Sequence, residues 1–114
     1  MRALDGDQVL VRVLIGESVV WHHEPLHLAL LQRLRREGFA GATVLRGIAG
    51  FGAHSVLHTT HILRLSADLP IVVEIVDAPE KIAAFLPIVD AAIREGLATL
   101  ERVQIRFYRS GPGS

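Results

Sequence analysis

Arg46 and the glycines that follow it are the residues in this chain best suited to gripping an anion. The stretch reads Leu45-Arg46-Gly47-Ile48-Ala49-Gly50-Phe51-Gly52. A guanidinium offers a planar fork of donors that matches a phosphate or a carboxylate with two prongs. Glycines at 47, 50 and 52 let the backbone turn sharply and let a ligand approach its N–H groups. Phe51 stands alone among them, able to stack on a base or to cap a subunit contact. The same residues also have plainer uses: a surface ion pair with a Glu for Arg46, and core packing for Phe51.

Histidines supply the second set of reactive groups. His54, His58 and His61 are four and three residues apart. That spacing would put them on one face of a helix, within reach of a metal. Loop histidines are more commonly solvated or hydrogen-bonded, and no carboxylate lies close to these in sequence, so no metal ligand is assigned. His58 reads as a ligand contact or as an anchor for its loop. His22, His23 and His27 surround a helix start and read as surface or interface. There is no nucleophile with a paired base, no Walker loop and no carboxylate pair, so no catalytic residue is assigned. Two alternatives stay open: a metal-binding trimer of ferredoxin-like fold, and a small cofactor-free enzyme with His58 as base in an apolar pocket.

These groups must be positioned by a small scaffold. Val9, Val11, Val13 and Ile15 alternate with Gln8, Leu10, Arg12 and Leu14, the signature of a strand with one apolar face and a second that is partly apolar. Gly16 ends it. Pro25 suits the first turn of a helix whose stripe is Leu26, Leu30, Leu31 and Leu34. Arg33, Arg35 and Arg36 crowd the last turn, where cations favour the negative end of the dipole, and Gly38 closes the helix. A strand over Ala42–Ile48 follows. The link from Gly50 to Asp68 is long for so small a domain and is expected to be the most mobile internal segment.

The pattern then repeats. Pro70–Val76 is apolar except for Glu74. Asp77, followed three positions later by Glu80, reads as a helix start. Ile82, Phe85, Leu86, Val89 and Ile93 form the buried stripe of that helix, and Pro87 inside it is expected to bend it. A last strand, Leu97–Tyr108, is expected to bury Val103, Ile105 and Phe107. The two helix exits match: Arg36-Glu37-Gly38-Phe39-Ala40 and Arg94-Glu95-Gly96-Leu97-Ala98. Two strand–helix–strand units with similar joints predict a ferredoxin-like βαββαβ sandwich. It has a four-stranded antiparallel sheet with both helices on one face and the first and third strands central. The third strand is apolar on both sides, so the uncovered face needs a cover, and a symmetry-related subunit is the expected one.

Composition sets the remaining bounds. The 114 residues make one domain, with residues 1–7 and 109–114 expected to be loose termini. Half are hydrophobic, a high share for so small a chain, which again favours an oligomer. Twelve basic and twelve acidic residues cancel, and nucleic acid is not expected as a partner without a basic stripe. The absence of cysteine removes disulfide and thiolate chemistry and suits a reducing cytoplasm. The polar Arg2–Gln8 segment predicts no signal peptide, and no apolar run reaches the roughly 20 residues of a membrane span.

Three motifs in order carry a family likeness. They are the strand Ala42–Ile48 running into Gly50-Phe51-Gly52, the run Ser66-Ala67-Asp68-Leu69-Pro70 leading to an apolar strand and Asp77, and the joint Glu95-Gly96-Leu97-Ala98-Thr99. From the first strand to Tyr108 the chain resembles the PII-like proteins of an uncharacterised family, a domain of unknown function related to PII signalling proteins. The resemblance implies a ferredoxin-like fold, a homotrimer and a long loop at Gly50–Asp68. It also implies a small effector, an adenine nucleotide, bound in clefts between subunits. The walls of such a cleft are the base of the long loop, here Arg46, Gly47, Gly50, Phe51, Gly52 and His58, and the joint before the last strand, here Glu95, Gly96 and Thr99. Members of the family are associated with membrane transport or channel proteins, which implies a partner of that kind. Two departures point away from ATP itself: Gly50–Asp68 holds no Tyr for the modification PII carries, and Lys81 is the only lysine, so the lysine-rich phosphate signature is missing.

Overall fold

The computed structural model describes residues 4–50 and 68–111. Eight elements follow in order: β1 (Gly6–Gly16), β2 (Val20–Trp21), β3 (Glu24–Pro25), α1 (Leu26–Arg36), β4 (Ala42–Arg46), β5 (Pro70–Asp77), α2 (Pro79–Ala92) and β6 (Leu97–Ile105). The four long strands form one antiparallel sheet in the order β4-β5-β1-β6, with β5 and β1 central. This is the ferredoxin-like arrangement expected from the two strand–helix–strand units.

Alternation decides which face the helices cover. Val11, Val13 and Ile15 of β1 and Ile71, Val73 and Ile75 of β5 are buried, and each pair is in direct register. Leu26, Leu30 and Leu34 of α1 and Ile82, Phe85 and Val89 of α2 close over them in one continuous core. Burying a side chain of that size stabilises the fold by about 1.5–3 kcal/mol. Leu31, Leu86 and Ile93 are half-buried at the margins of the two stripes. Pro87 lies inside α2 on its exposed side.

The two helices are locked together at one end. Gly38 takes φ +77°, the left-handed conformation expected of a helix stop. Phe39 then meets Phe85 edge to face, with ring centroids 5.2 Å apart. The Lys81 ammonium sits 5.0 Å over the Phe39 ring and donates to the Glu37 carbonyl at 2.8 Å. The chain's one lysine thus satisfies an end carbonyl of α1 at the negative pole of its dipole.

Several expectations are corrected. β4 stops at Arg46 rather than Ile48, which is 77 % exposed. β6 stops at Ile105, with Val103 and Ile105 half-buried and Phe107 59 % exposed under a stacked Arg109 guanidinium. The physical reason is register: Val103 and Ile105 pair with Gln8 and Gly6, which puts them on the sheet face turned away from the helices, and β6 is an edge strand. Asp77 does not cap α2 by way of a Glu80 box. The N-cap is Ala78, with Pro79 opening the helix. Asp77 is fully buried and its two oxygens accept the N–H groups of Ala78 (2.7 Å) and Ala40 (2.9 Å). It therefore ties the exit of α1 to the start of α2. A small hairpin, β2–β3, also appears before α1. Its turn residues His22 and His23 both have positive φ, which suits the tight twist of a two-residue hairpin.

Candidate functional site

One end of the sheet gathers most of the predicted residues. There β1 and β4 finish while β5 and β6 begin: Gly16 is in register with Pro70, Arg46 with Ile71, and Leu14 with Leu97. The connections at this end are stitched by backbone. Gly47 N–H donates to the Pro70 carbonyl at 2.7 Å and Glu17 N–H donates to the Leu69 carbonyl at 2.9 Å. Asp68 Oδ1 accepts the Ser18 N–H at 2.8 Å.

The glycines here are explained by close approach. A Cβ on Gly16 would lie 2.6 and 2.8 Å from the Asp68 carboxylate oxygens. On Gly47 and Gly50 it would lie 2.7 and 3.1 Å from Cγ of Pro70. Gly47 and Gly50 therefore make room for the Pro70 ring, and the Gly47 N–H is already used in extending the ladder. Gly96 has the tightest setting. Its φ is +157°, and a Cβ would come within 2.6 Å of the Leu14 carbonyl and 3.1 Å of both Ile15 and Ile93.

Arg46 projects from the last position of β4. Its Nη2 donates to Glu17 Oε2, with the arginine side chain 62 % and the glutamate 25 % exposed. The fork thus has one occupied prong and an open side. Glu17, with Asp68, is the functional candidate that residue spacing did not disclose. Both are placed by tertiary contact across 29 and 50 residues of sequence; Asp68 belongs to the run that leads into β5, but nothing in that run marks its contact with the Ser18 N–H.

Glu95, Gly96 and Thr99 occupy the opposite edge. Glu95 is exposed and precedes β6, and Thr99 is in register with Arg12 on the face away from the helices. Three strand spacings separate β4 from β6, roughly 14 Å. The two groups share one end of the sheet but lie on its two margins. Phe51, Gly52 and His58, together with His54 and His61, lie outside the described residues. Among the described residues no group of three His, Asp or Glu side chains is placed to hold a metal ion. No helix among them is long and apolar enough to cross a membrane. A separate cavity of 420 Å³ lies between the second half of α1 and the start of β4, lined by Leu31, Gln32, Arg35, Phe39 and Ala40–Ala42. Arg46 is not part of it.

Comparison with known proteins gives a consistent picture. A UPF0166 protein of Aquifex aeolicus (strain VF5) is 38 % identical over 98 residues, covering 86 % of this chain and 92 % of that relative. A UPF0166 protein of Methanocaldococcus jannaschii is 36 % identical over 78 residues, covering 68 % and 71 %. Among solved structures, CPII from Thiomonas intermedia K12, described as a nitrogen regulatory PII-like protein bound to ADP, AMP and bicarbonate, superposes with a TM-score of 0.58 at 18 % identity, covering 87 % and 88 % of the two chains. The same protein bound to ADP and bicarbonate gives 0.55 at 19 %. At that identity the likeness is one of fold: a PII-like, ferredoxin-like sandwich. The sequence profile of DUF190, an uncharacterised ACR family, matches residues 8–105, and the chain belongs to that family.

Proposed function

We propose that this protein is a PII-like regulator whose copies associate, as a trimer, and bind an adenine nucleotide in the clefts between them. The observation that carries this reading is the placement of Arg46 and the Glu95–Thr99 joint on opposite margins of the same end of the sheet. Within one chain the two groups lie on separate margins, whereas the β4 margin of one copy beside the β6 margin of the next would bring them together. Arg46 would then hold a phosphate, while Glu95 and Thr99 face the ligand from the neighbouring copy. Phe51, Gly52 and His58 would complete the wall. Binding of ADP and AMP by the CPII protein supports the choice of ligand class. The regulated partner in this reading is a membrane transport protein, and the site of action is the cytoplasm.

A thermal-shift screen tests it. AMP, ADP, ATP, cyclic nucleotides and metal ions are added in turn to the full chain. A nucleotide at a hundred times its Kd should stabilise the folded state by about 2.7 kcal/mol and raise Tm accordingly. If no nucleotide shifts Tm up to millimolar concentration, the nucleotide reading is wrong.

A further inference from the structure

The cavity between α1 and β4 stands at the opposite end of that strand from Arg46. Ala42 opens β4 in register with Ile75 and Arg46 closes it in register with Ile71, so roughly 13 Å of strand separates the two places. The cavity exists because α1 rides over an edge strand that begins with small residues. Ala40, Gly41 and Ala42 present nothing larger than a methyl group, and Leu31, Gln32 and Arg35 hang over them. Arg35 stands four residues after Leu31 and three after Gln32, so all three share one flank of the helix. The volume, about 420 Å³, suits a small molecule. The walls are fixed. Leu34 lines the cavity and is buried. Phe39 is held by its N–H, which donates to the Leu34 carbonyl at 3.1 Å, and by its edge contact with Phe85. The Ala40 peptide is committed on both sides: its N–H donates to Asp77 and its carbonyl accepts the Tyr108 hydroxyl at 2.7 Å. Polar contact with an occupant therefore falls to the side chains of α1. Among the described residues Arg35 makes no hydrogen bond or ion pair through its side chain, whereas Arg33 is tied to Glu37. Gln32 adds an uncharged amide, and among the described residues no carboxylate lines the cavity.

We propose that this cavity binds a small organic monocarboxylate, with Arg35 gripping the carboxylate and Leu31, Leu34, Phe39 and Ala42 enclosing an apolar body. The guanidinium fork matches a carboxylate with two parallel hydrogen bonds. Gln32, on the same flank, can donate its amide N–H to the same group. One negative charge is the limit. The lining offers a single cation, and it lies at the carbonyl end of α1, whose dipole opposes further negative charge. A nucleotide, with its several phosphate charges, is therefore the wrong occupant here. The site differs in chemistry as well as in place from the one proposed at Arg46. All its walls come from one chain, so it does not depend on association between copies.

Titration of the isotope-labelled full chain with octanoate and with phenylbutyrate, followed through its backbone N–H signals by NMR, is the test. The neutral counterparts, octanamide and phenylbutyramide, are the controls. Both carboxylates should shift the signals of Gln32, Arg35, Phe39 and Gly41, and should bind about tenfold more tightly than the carboxamides. Arg35→Gln should lower carboxylate affinity to that of the carboxamides. Its Tm should match the parent's, because the Arg35 side chain is exposed and without a partner among the described residues. Ala42→Leu should fill the cavity and abolish the shifts. Circular dichroism checks that this variant is folded, and if it is not, Arg35→Gln decides alone. Carboxylates that leave these signals unmoved up to millimolar concentration would overturn the proposal. So would carboxylates and carboxamides of equal affinity, or an Arg35→Gln protein that binds the carboxylates as tightly as the parent.

Discussion

Replacing Arg46 and its partner Glu17 separately should move nucleotide affinity in opposite directions. The Arg46 fork is held by Glu17, and the arginine is largely exposed. An exposed pair of this kind is worth about 0–1 kcal/mol. A phosphate held by the same fork gains a charge-assisted hydrogen bond worth about 1.5–3 kcal/mol, but must first release Glu17. The net contribution is then roughly 0.5–3 kcal/mol, and Arg46→Ala should weaken ADP binding by about two- to a hundredfold. Lys at this position restores the charge without the fork and should recover only part of the loss. Glu17→Gln removes the competitor and should tighten binding by up to about fivefold. Neither change touches the core, so unfolding free energies should stay within about 0.5 kcal/mol of the parent. Isothermal titration calorimetry with ADP reads all three variants. An Arg46→Ala protein that binds ADP as tightly as the parent would make the arginine a surface ion-pair residue and move the pocket elsewhere. A Glu17→Gln protein with weaker binding would refute the competition.

Two further predictions concern the joints that hold the site in place. Gly96→Ala must accommodate both a φ of +157° and a Cβ within 2.6 Å of the Leu14 carbonyl. It should cost roughly 1–3 kcal/mol, read as a lower Tm, and a Tm equal to the parent's would mean that the joint relaxes freely. Asp77→Ala strands the Ala40 and Ala78 N–H groups and should lower the unfolding free energy by roughly 2–4 kcal/mol in denaturant titrations. An unchanged midpoint would show that water replaces the carboxylate without loss.

Much of the fold is legible in the residues. The period-two patterns of β1 and β5, the leucine stripe of α1 and the Gly38 stop each report local geometry. The matching helix exits imply a duplicated unit, and the antiparallel order with β5 and β1 central follows from it. These signals are readable because strand alternation, helical spacing and left-handed glycine are properties of neighbouring residues. The anion-binding character of Arg46 is likewise a property of its side chain.

What the tertiary structure decided is which of those properties is used. Gly47 and Gly50 read as a ligand cradle from their spacing, and the structure adds a contact that spacing does not show: both stand against the ring of Pro70, some twenty residues further on. Asp77 reads as a cap by spacing and is a buried tie to Ala40. Phe107 continues an apolar alternation past the end of β6, where it stays 59 % exposed with the Arg109 guanidinium over its ring. Glu17 and Glu101 are ordinary acidic residues until the sheet sets them beside Arg46 and Arg12. The residues themselves determine periodicity, conformational freedom and charge. Which surfaces meet depends on contacts across tens of residues, and the energy of a side chain depends on what it meets. That is why edge strands, buried carboxylates and ion pairs become readable only in three dimensions.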